Sequence, residues 1–409
     1  MTLSKKVYDA HIGGKINVEL KTPINTMEDL AVVYTPGVAE VCMKIYNEPN
    51  YDHTLTIKRN SVAVVTDGTA VLGLGDIGPA ASMPVMEGKA ALFKQLADVD
   101  AYPIAIDTKG KTNDEVVEII RSISYGFGGI NLEDIAAPKC FDIEAKLKKA
   151  TDIPVFHDDQ HGTAVVALAA LYNALKITGK KLEDLKIVMS GVGAAGVACT
   201  KIILNAGAKN IIGCDRTGAI YQGRKEGMNS VKEDFATYTN PNKEQGSLKD
   251  VLKGADMFIG VSGPDLFGEE ELKTMNKDPI IFAMSNPTPE VPYDIAKKHA
   301  AIVATGRSDY PNQINNVLCF PGLFRGLLDC NAHSVTEKMK VEAAKAIASC
   351  VPEDKLHADF IVPDIFNQEV VTKVADAVIK CAKEEGVCKE IKAGNPFLSE
   401  TAPPVPATV

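Results

Sequence analysis

The sequence predicts an α/β fold, with an N-terminal α/β catalytic domain followed by a Rossmann-type doubly wound parallel sheet domain. Three observations predict it. Short β-branched runs, apolar nearly throughout, recur along the 409 residues, as strands buried on both faces do. Helical patterns separate them, and alternating β and α gives parallel sheets covered by helices. Many of the runs end in Asp, Asn, Ser or Gly, at the carboxyl ends where open parallel sheets bind ligands.

In chain order the runs cover 61–67, 101–107, 129–134, 153–159, 186–190, 210–215, 257–262, 280–286 and 302–306. Helical spacing is expected over 113–125, 163–178 and 197–206. A last helix over 368–385 is expected to pack back across the second domain. A boundary is expected near Gly162, just before the Ala-rich stretch 163–175. The chain then divides into residues 1–160, residues 161–390 and a Pro/Thr/Ala-rich tail, 391–409. No internal repeat is found.

Composition bounds the function. At 45% hydrophobic and 24% charged, the chain is ordinary globular protein. Its net charge is −9, and no cluster of excess Lys/Arg marks a nucleic-acid footprint. No run of about 18 apolar residues predicts a membrane span. The first residues, Met1 to Asp9, lack the apolar stretch of a secretory signal, so a cytoplasmic location is expected. The nine cysteines have no CxxC spacing and read as small buried hydrophobes.

Residues 186–197, KIVMSGVGAAGV, carry Gly191, Gly193 and Gly196 between a strand and a helix. Gly191 suits the tight turn, Gly193 lets a pyrophosphate approach the backbone, and Gly196 lets helix and strand pack closely. Ala194 and Ala195 open the helix, whose N-terminus meets the phosphate charge. The next strand ends in Asp215, 24 residues after Gly191. This is a dinucleotide site. Asp215 favours NAD by bonding the ribose hydroxyls. Arg216, Arg224 and Lys225 permit the 2′-phosphate of NADP.

Glu133 and Asp134 end one run, and Asp158 and Asp159 end the next. Adjacent βα units bring these carboxylates into one cleft, where they repel unless a cation neutralises them. Oxygen ligands of this kind suit Mn²⁺ or Mg²⁺. His157 and His161 read as hydrogen-bonded structural residues rather than zinc ligands.

Eight motifs stand in one order between Val32 and Phe324: YTPGVAE, TDG with LGLGDIG, MEGKAALF, NLEDI, FHDDQHGTA, GVGAAG, SNPTPE and NQINNVLCFPG. In these the chain resembles the malic enzymes of the short bacterial-type subunit class. The resemblance implies oxidative decarboxylation of L-malate to pyruvate and CO₂, with NAD or NADP and Mn²⁺ or Mg²⁺. It implies Tyr34 and Lys89 as the catalytic pair, with Asp158 supporting them. Glu133, Asp134 and Asp159 would be the metal ligands, and Asn286, Asn315 and Asn316 contacts for substrate or cofactor. It also implies a homodimer or a dimer of dimers. One departure stands out: Ala70 occupies the place of an arginine that binds a malate carboxylate in the large eukaryotic-type subunits.

These residue types suit the chemistry. Lys89 is expected to bind substrate and to take the C2 hydroxyl proton, its pKa brought down from about 10.4 by burial and a nearby cation. Tyr34 is expected to protonate C3 of the enolate. Two other readings differ in outcome. A lyase would decarboxylate oxaloacetate without net redox, and a binding module would hold nucleotide without turnover.

Overall fold

The computed structural model describes residues 3–71 and 74–392. The expected tail beyond 392, and Leu72 and Gly73 of the LGLGDIG motif, lie outside the described residues.

The chain opens with an arm of four helices: α1 (Leu3–His11), α2 (Met27–Val33), α3 (Val38–Asn47) and α4 (Asp52–Leu55). Thr26 and Asp29 cap the start of α2 reciprocally, each side chain accepting from the other's backbone N–H. Neither α2 nor α3 buries a residue.

A four-stranded sheet follows, formed by β1 (Ser61–Thr66), β2 (Asp100–Ala105), β3 (Gly129–Leu132) and β4 (Val155–His157). Its order is β2-β1-β3-β4, and every pairing is parallel. Helices α5 (Gly78–Ala97), α6 (Asn113–Ile123) and α7 (Lys139–Ala150) make the crossovers. The buried positions of α5 are Ser82, Met86, Lys89, Ala90, Phe93 and Ala97. That helical stripe contains one lysine.

Helix α8 (Asp158–Thr178) joins this sheet to a second one. It was expected to start at 163, but it begins at Asp158, directly after β4. His157 is still extended, and the two aspartates occupy the first helical turn, where acidic charge meets the positive end of the helix dipole. The expected boundary near Gly162 therefore falls inside a continuous helix, and the core runs unbroken across it.

The second sheet has the order β10-β9-β8-β5-β6-β7. Its strands are β5 (Lys186–Ser190), β6 (Asn210–Asp215), β7 (Gly218–Ala219), β8 (Met257–Gly260), β9 (Ile280–Ala283) and β10 (Ile302–Thr305). All pairings are parallel except that of β7 on β6. Two-residue β7 is too short to leave a hydrophobic pattern and was not expected. Helix α9 (Ala194–Asn205) follows β5, and α10 (Ser230–Tyr238), α11 (Leu248–Leu252), α12 (Glu269–Leu272) and α13 (Tyr293–His299) complete the crossovers. Several strands stop two or three residues before the acid or amide that ends their apolar run. Glu133, Asp134 and Asn286 therefore stand in loops at carboxyl ends.

Three helices complete the described residues: α14 (Phe320–Asp329), α15 (Glu337–Ala348) and α16 (Gln368–Glu384). The last was expected to pack back across the second domain; it packs on α14 and α15 of that domain, and it also touches α5. Helix α14 returns the chain to the first sheet. Its Phe320 and Phe324 meet Phe93 of α5 at ring separations of 4.7 and 5.4 Å. All three rings are fully buried, each worth about 1.5–3 kcal/mol of transfer free energy. Among the described residues, all nine cysteines are free, and no helix is long and apolar enough to cross a membrane.

Candidate active site

The carboxyl end of β3 and the first turn of α8 bring four carboxylates together. Glu133, Asp134 and Asp159 each offer an oxygen, all within 4.8 Å of one another. Asp159 Oδ2 accepts from the Asp134 backbone N–H at 2.7 Å. Asp134 has a φ of 54°, a left-handed conformation that is costly for a side-chain-bearing residue. Its Oδ2 is buried with no hydrogen-bond partner among the described residues. Burial first, and neighbouring carboxylates with it, push Asp134 up to about 8, Glu133 to about 7 and Asp159 to about 6. An orphaned buried oxygen in an all-carboxylate trio fits a hard divalent cation, which would take the place of the protons.

Asn131 was not anticipated. Its Nδ2 donates to Glu133 Oε2 at 2.8 Å from within β3. Being polar inside an apolar run, it had left a signal in the sequence. His157 Nε2 lies 3.6 Å from Asp159 Oδ2, too far for a hydrogen bond, and neither ring nitrogen has a partner. That differs from the expected hydrogen-bonded role. His161 does meet it, with Nε2 2.8 Å from Glu144 Oε1. Buried Glu144, also unanticipated, accepts from Gln160 as well and so steadies the turn after the aspartates.

Lys89 is 8% exposed and reaches the carboxylates from α5. Its Nζ donates to Asp158 Oδ2 at 2.5 Å and lies 3.0 Å from Glu133 Oε1. The Phe320 ring centroid is 4.2 Å away. Burial disfavours the ammonium, but Asp158 and Glu133 outweigh it and hold Lys89 well above its ordinary pKa. That is the balance struck by these side chains alone; the expected downward shift belongs to the site with its cation. Burial and Glu133 push Asp158 up to about 7, against the pull of Lys89.

The asparagines divide. Asn316 Nδ2 donates to Asp158 Oδ2, so it belongs to the carboxylate cluster. Asn315 Oδ1 accepts from the Val317 backbone N–H at 3.1 Å and caps the turn before α14. Asn286, beyond β9, is exposed and reaches Gly306 O at 3.4 Å. Ala70 supplies only backbone, its N–H donating to Asp134 O at 3.0 Å.

The glycine loop stands at the carboxyl end of β5. Gly191 has a φ of 96°, and a Cβ on Gly196 would lie 1.8 Å from Gly191 O. Nothing lies within 4 Å of a Cβ built on Gly193, which leaves that backbone approachable. Gly193 is the N-cap of α9, and Ala194 and Ala195 open the helix with no side-chain cap on its N–H groups.

Asp215 is already engaged. It accepts from Thr217 N and Oγ1 at 2.9 and 2.8 Å, pairs with Arg224, and meets Lys232 Nζ at 2.7 Å. Burial opposes its charge, but Arg224, Lys232 and Thr217 hold its carboxyl well below the usual range. Five donors fill about four lone-pair positions, so Arg224 is the internal partner of Asp215 rather than a spare cation. Arg216 and Lys225 are exposed.

Tyr34 is not with the others. It ends α2 at 67% exposure, and its side chain makes no hydrogen bond among the described residues.

Comparison with known proteins follows the same two halves. A family model described as malic enzyme, N-terminal domain, matches residues 13–148, and one described as malic enzyme, NAD binding domain, matches residues 160–383. The chain is 57% identical to an NAD-dependent malic enzyme of Geobacillus stearothermophilus, over 95% of this chain and 81% of that one. It is 53% identical to a bifunctional malic/malolactic enzyme of Bacillus subtilis, over 92% of each. An NADP-dependent malic enzyme of Escherichia coli is 43% identical, and this chain spans 53% of its length. The crystal structure of a malic enzyme from Pyrococcus horikoshii superposes with a TM-score of 0.90 at 43% identity, covering 96% of this chain and 93% of that one.

Proposed function

The chain belongs to the malic enzyme family, and from that premise we propose that it oxidises and decarboxylates L-malate with a divalent cation on Glu133, Asp134 and Asp159 and with Lys89 and Tyr34 as base and acid. The family makes it an oxidoreductase that uses a nicotinamide dinucleotide. The observation that carries the residue roles is Lys89 Nζ, held between Asp158 and Glu133 in the cluster that also contains Asp134 and Asp159.

A bound cation would supply Lewis acidity to the substrate, and a bound nicotinamide would supply a hydride acceptor. The chain's own groups do the rest. Asp158 and Glu133 hold the Lys89 side chain in place. With their charge engaged elsewhere, the burial of Lys89 favours its neutral amine, which takes the C2 hydroxyl proton. Loss of CO₂ from the β-keto acid leaves an enolate, and the Tyr34 phenol delivers a proton to C3. Asn286, Asn315 and Asn316 orient the carboxylates, with no arginine at Ala70 to assist. Residues 1–160 carry the metal and the base, and 161–390 the nucleotide.

The proposed assembly is a homodimer, alone or as a dimer of dimers. The arm exposes Tyr8, Ile12, Val18, Met27, Val32 and Tyr46, an apolar surface suited to a second copy. In this reading Tyr34 serves the partner's site. A dilute monomer with full activity would exclude that.

The test is absorbance at 340 nm with L-malate and Mn²⁺, comparing NAD with NADP at equal concentration and identifying pyruvate as product. NAD preference would mean that Asp215 governs the ribose end. NADP preference would assign it to Arg216 and Lys225. No reduction with either nucleotide, but metal-dependent loss of oxaloacetate, would sink the oxidative reading in favour of a lyase. Identity to the bifunctional malic/malolactic enzyme favours a second reading, in which hydride returns to pyruvate and lactate is released. A lactate assay separates the two.

A further inference from the structure

The motif SNPTPE enters the function through Asn286, yet its last residue is the more deeply placed. Glu290 is fully buried, and no cation stands among its partners. Its Oε1 accepts from the Ser262 backbone N–H at 3.0 Å and its Oε2 from that of Ser285 at 3.1 Å. Ser262 follows β8 and Ser285 follows β9, so one carboxylate ties together the carboxyl ends of two neighbouring strands. A Cβ on Gly260 would lie 2.3 Å from the Glu290 carboxyl carbon, so β8 leaves space for it.

The tie continues in both directions. Ser262 Oγ lies 2.9 Å from Ser190 Oγ, the residue before Gly191. A Cβ on Gly191 would lie 2.8 Å from Val261 O and 2.9 Å from Ser262 Cβ, so the glycine turn rests on this segment. On the other side Ser285 is bonded directly to Asn286. The sequence of contacts runs Gly191, Ser190, Ser262, Glu290, Ser285, Asn286.

Resting on the reading that this chain binds a nicotinamide dinucleotide, we propose that Glu290 is a positioning residue that sets the glycine loop and the Asn286 loop at one fixed separation, and so holds the two ends of the nucleotide site in register. A carboxylate suits this place because it accepts from two backbone N–H groups at once. Without it, the backbone donors of Ser262 and Ser285, beyond the ends of β8 and β9, lose their shared acceptor.

The test is calorimetric titration of the full chain with NADH and with NADPH, beside Mn²⁺ binding followed by electron paramagnetic resonance. E290Q turns one acceptor into a donor facing a backbone N–H. It is expected to weaken binding of the preferred nucleotide about tenfold and leave Mn²⁺ affinity within about twofold, since the carboxylate trio belongs to the other sheet. E290D keeps both acceptors on a shorter arm and is expected to recover about half of that loss on a logarithmic scale; it also carries the test should E290Q not fold. Nucleotide affinity equal to wild type in both variants would overturn the proposal. A parallel fall in nucleotide and Mn²⁺ affinity would overturn it too, because it would mark a general structural role. Wild-type protein that binds neither nucleotide would instead sink the reading on which the proposal rests.

Discussion

Gly162 and Asp158 lie one turn apart on α8, and a Cβ at Gly162 would sit 1.9 Å from Asp158 Oδ1. The helix has given up its propensity at this position so that the carboxylate can lie against its own backbone. Asn316 Cβ closes the same space from the far side, at 2.9 Å.

Gly162→Ala separates function from helix stability. Alanine favours the helix by about 1 kcal/mol over glycine, but it displaces the carboxylate that holds Lys89. We expect kcat with malate to fall about 100-fold while far-UV circular dichroism is unchanged. Wild-type turnover in this variant would show that the position of Asp158 does not matter to the reaction.

The two proposed proton carriers predict different failures. Lys89→Ala is expected to lower malate oxidation by roughly 10²–10⁴-fold, the range for a positioned base. Tyr34→Phe is expected to slow deuterium exchange at C3 of pyruvate by a similar factor. Full turnover together with full exchange in Tyr34→Phe would remove that residue from the mechanism.

Removing the cation is expected to cost both activity and stability. Three clustered carboxylates repel one another when nothing lies between them. A ligand at 100 times its Kd adds about 2.7 kcal/mol to the folded state. Thermal unfolding after EDTA treatment, then with Mn²⁺ restored, reads this directly. The gain should disappear in Asp159→Asn, and persistence of the full gain there would move the metal elsewhere.

Acid is expected to weaken the fold through His53. Burial lowers its pKa below 6.5. Nε2 lies 3.1 Å from Leu328 O of α14, and Nδ1 is buried without a partner. The unfolded chain therefore binds a proton that the native state resists, so stability falls as pH drops through 6.5. Urea midpoints at pH 7.5 and 5.5 should differ less in His53→Gln than in wild type. An equal pH dependence in the two proteins would assign the acid sensitivity to other groups.

How much was legible beforehand depended on whether the signal was local. Apolar runs placed β1 to β6 and β8 to β10 because nearly all of those strands are covered on both faces, edge strand β2 being only half-buried. The glycine loop was legible because its three glycines answer three backbone constraints within six residues of one another. The start of α8 was misplaced because Val155, Phe156 and His157 run straight into two aspartates, and a strand-end acid looks like a helix-start acid. Glu144 and Glu290 were missed for another reason. Glu144 accepts from Gln160, 16 positions on, and Glu290 from Ser262, 28 positions back, and no spacing rule reports a contact that only the folded chain makes. Asp215 was visible as an acid, but its saturation by Arg224 and Lys232 was not.

The unbroken course of α8 has a mechanical consequence. At 21 residues it is a rod about 30 Å long, butted against β4 at one end and packed along α9 and α15 over its length. A rod of this kind is a splint. It carries Asp158 and Asp159 at its tip, so a tilt of the nucleotide half by a few degrees about the far end would swing the acids by about 1 Å. Because that packing fixes α8 to the nucleotide half, Asp158 and Asp159 keep their place only while the two halves hold one relative position.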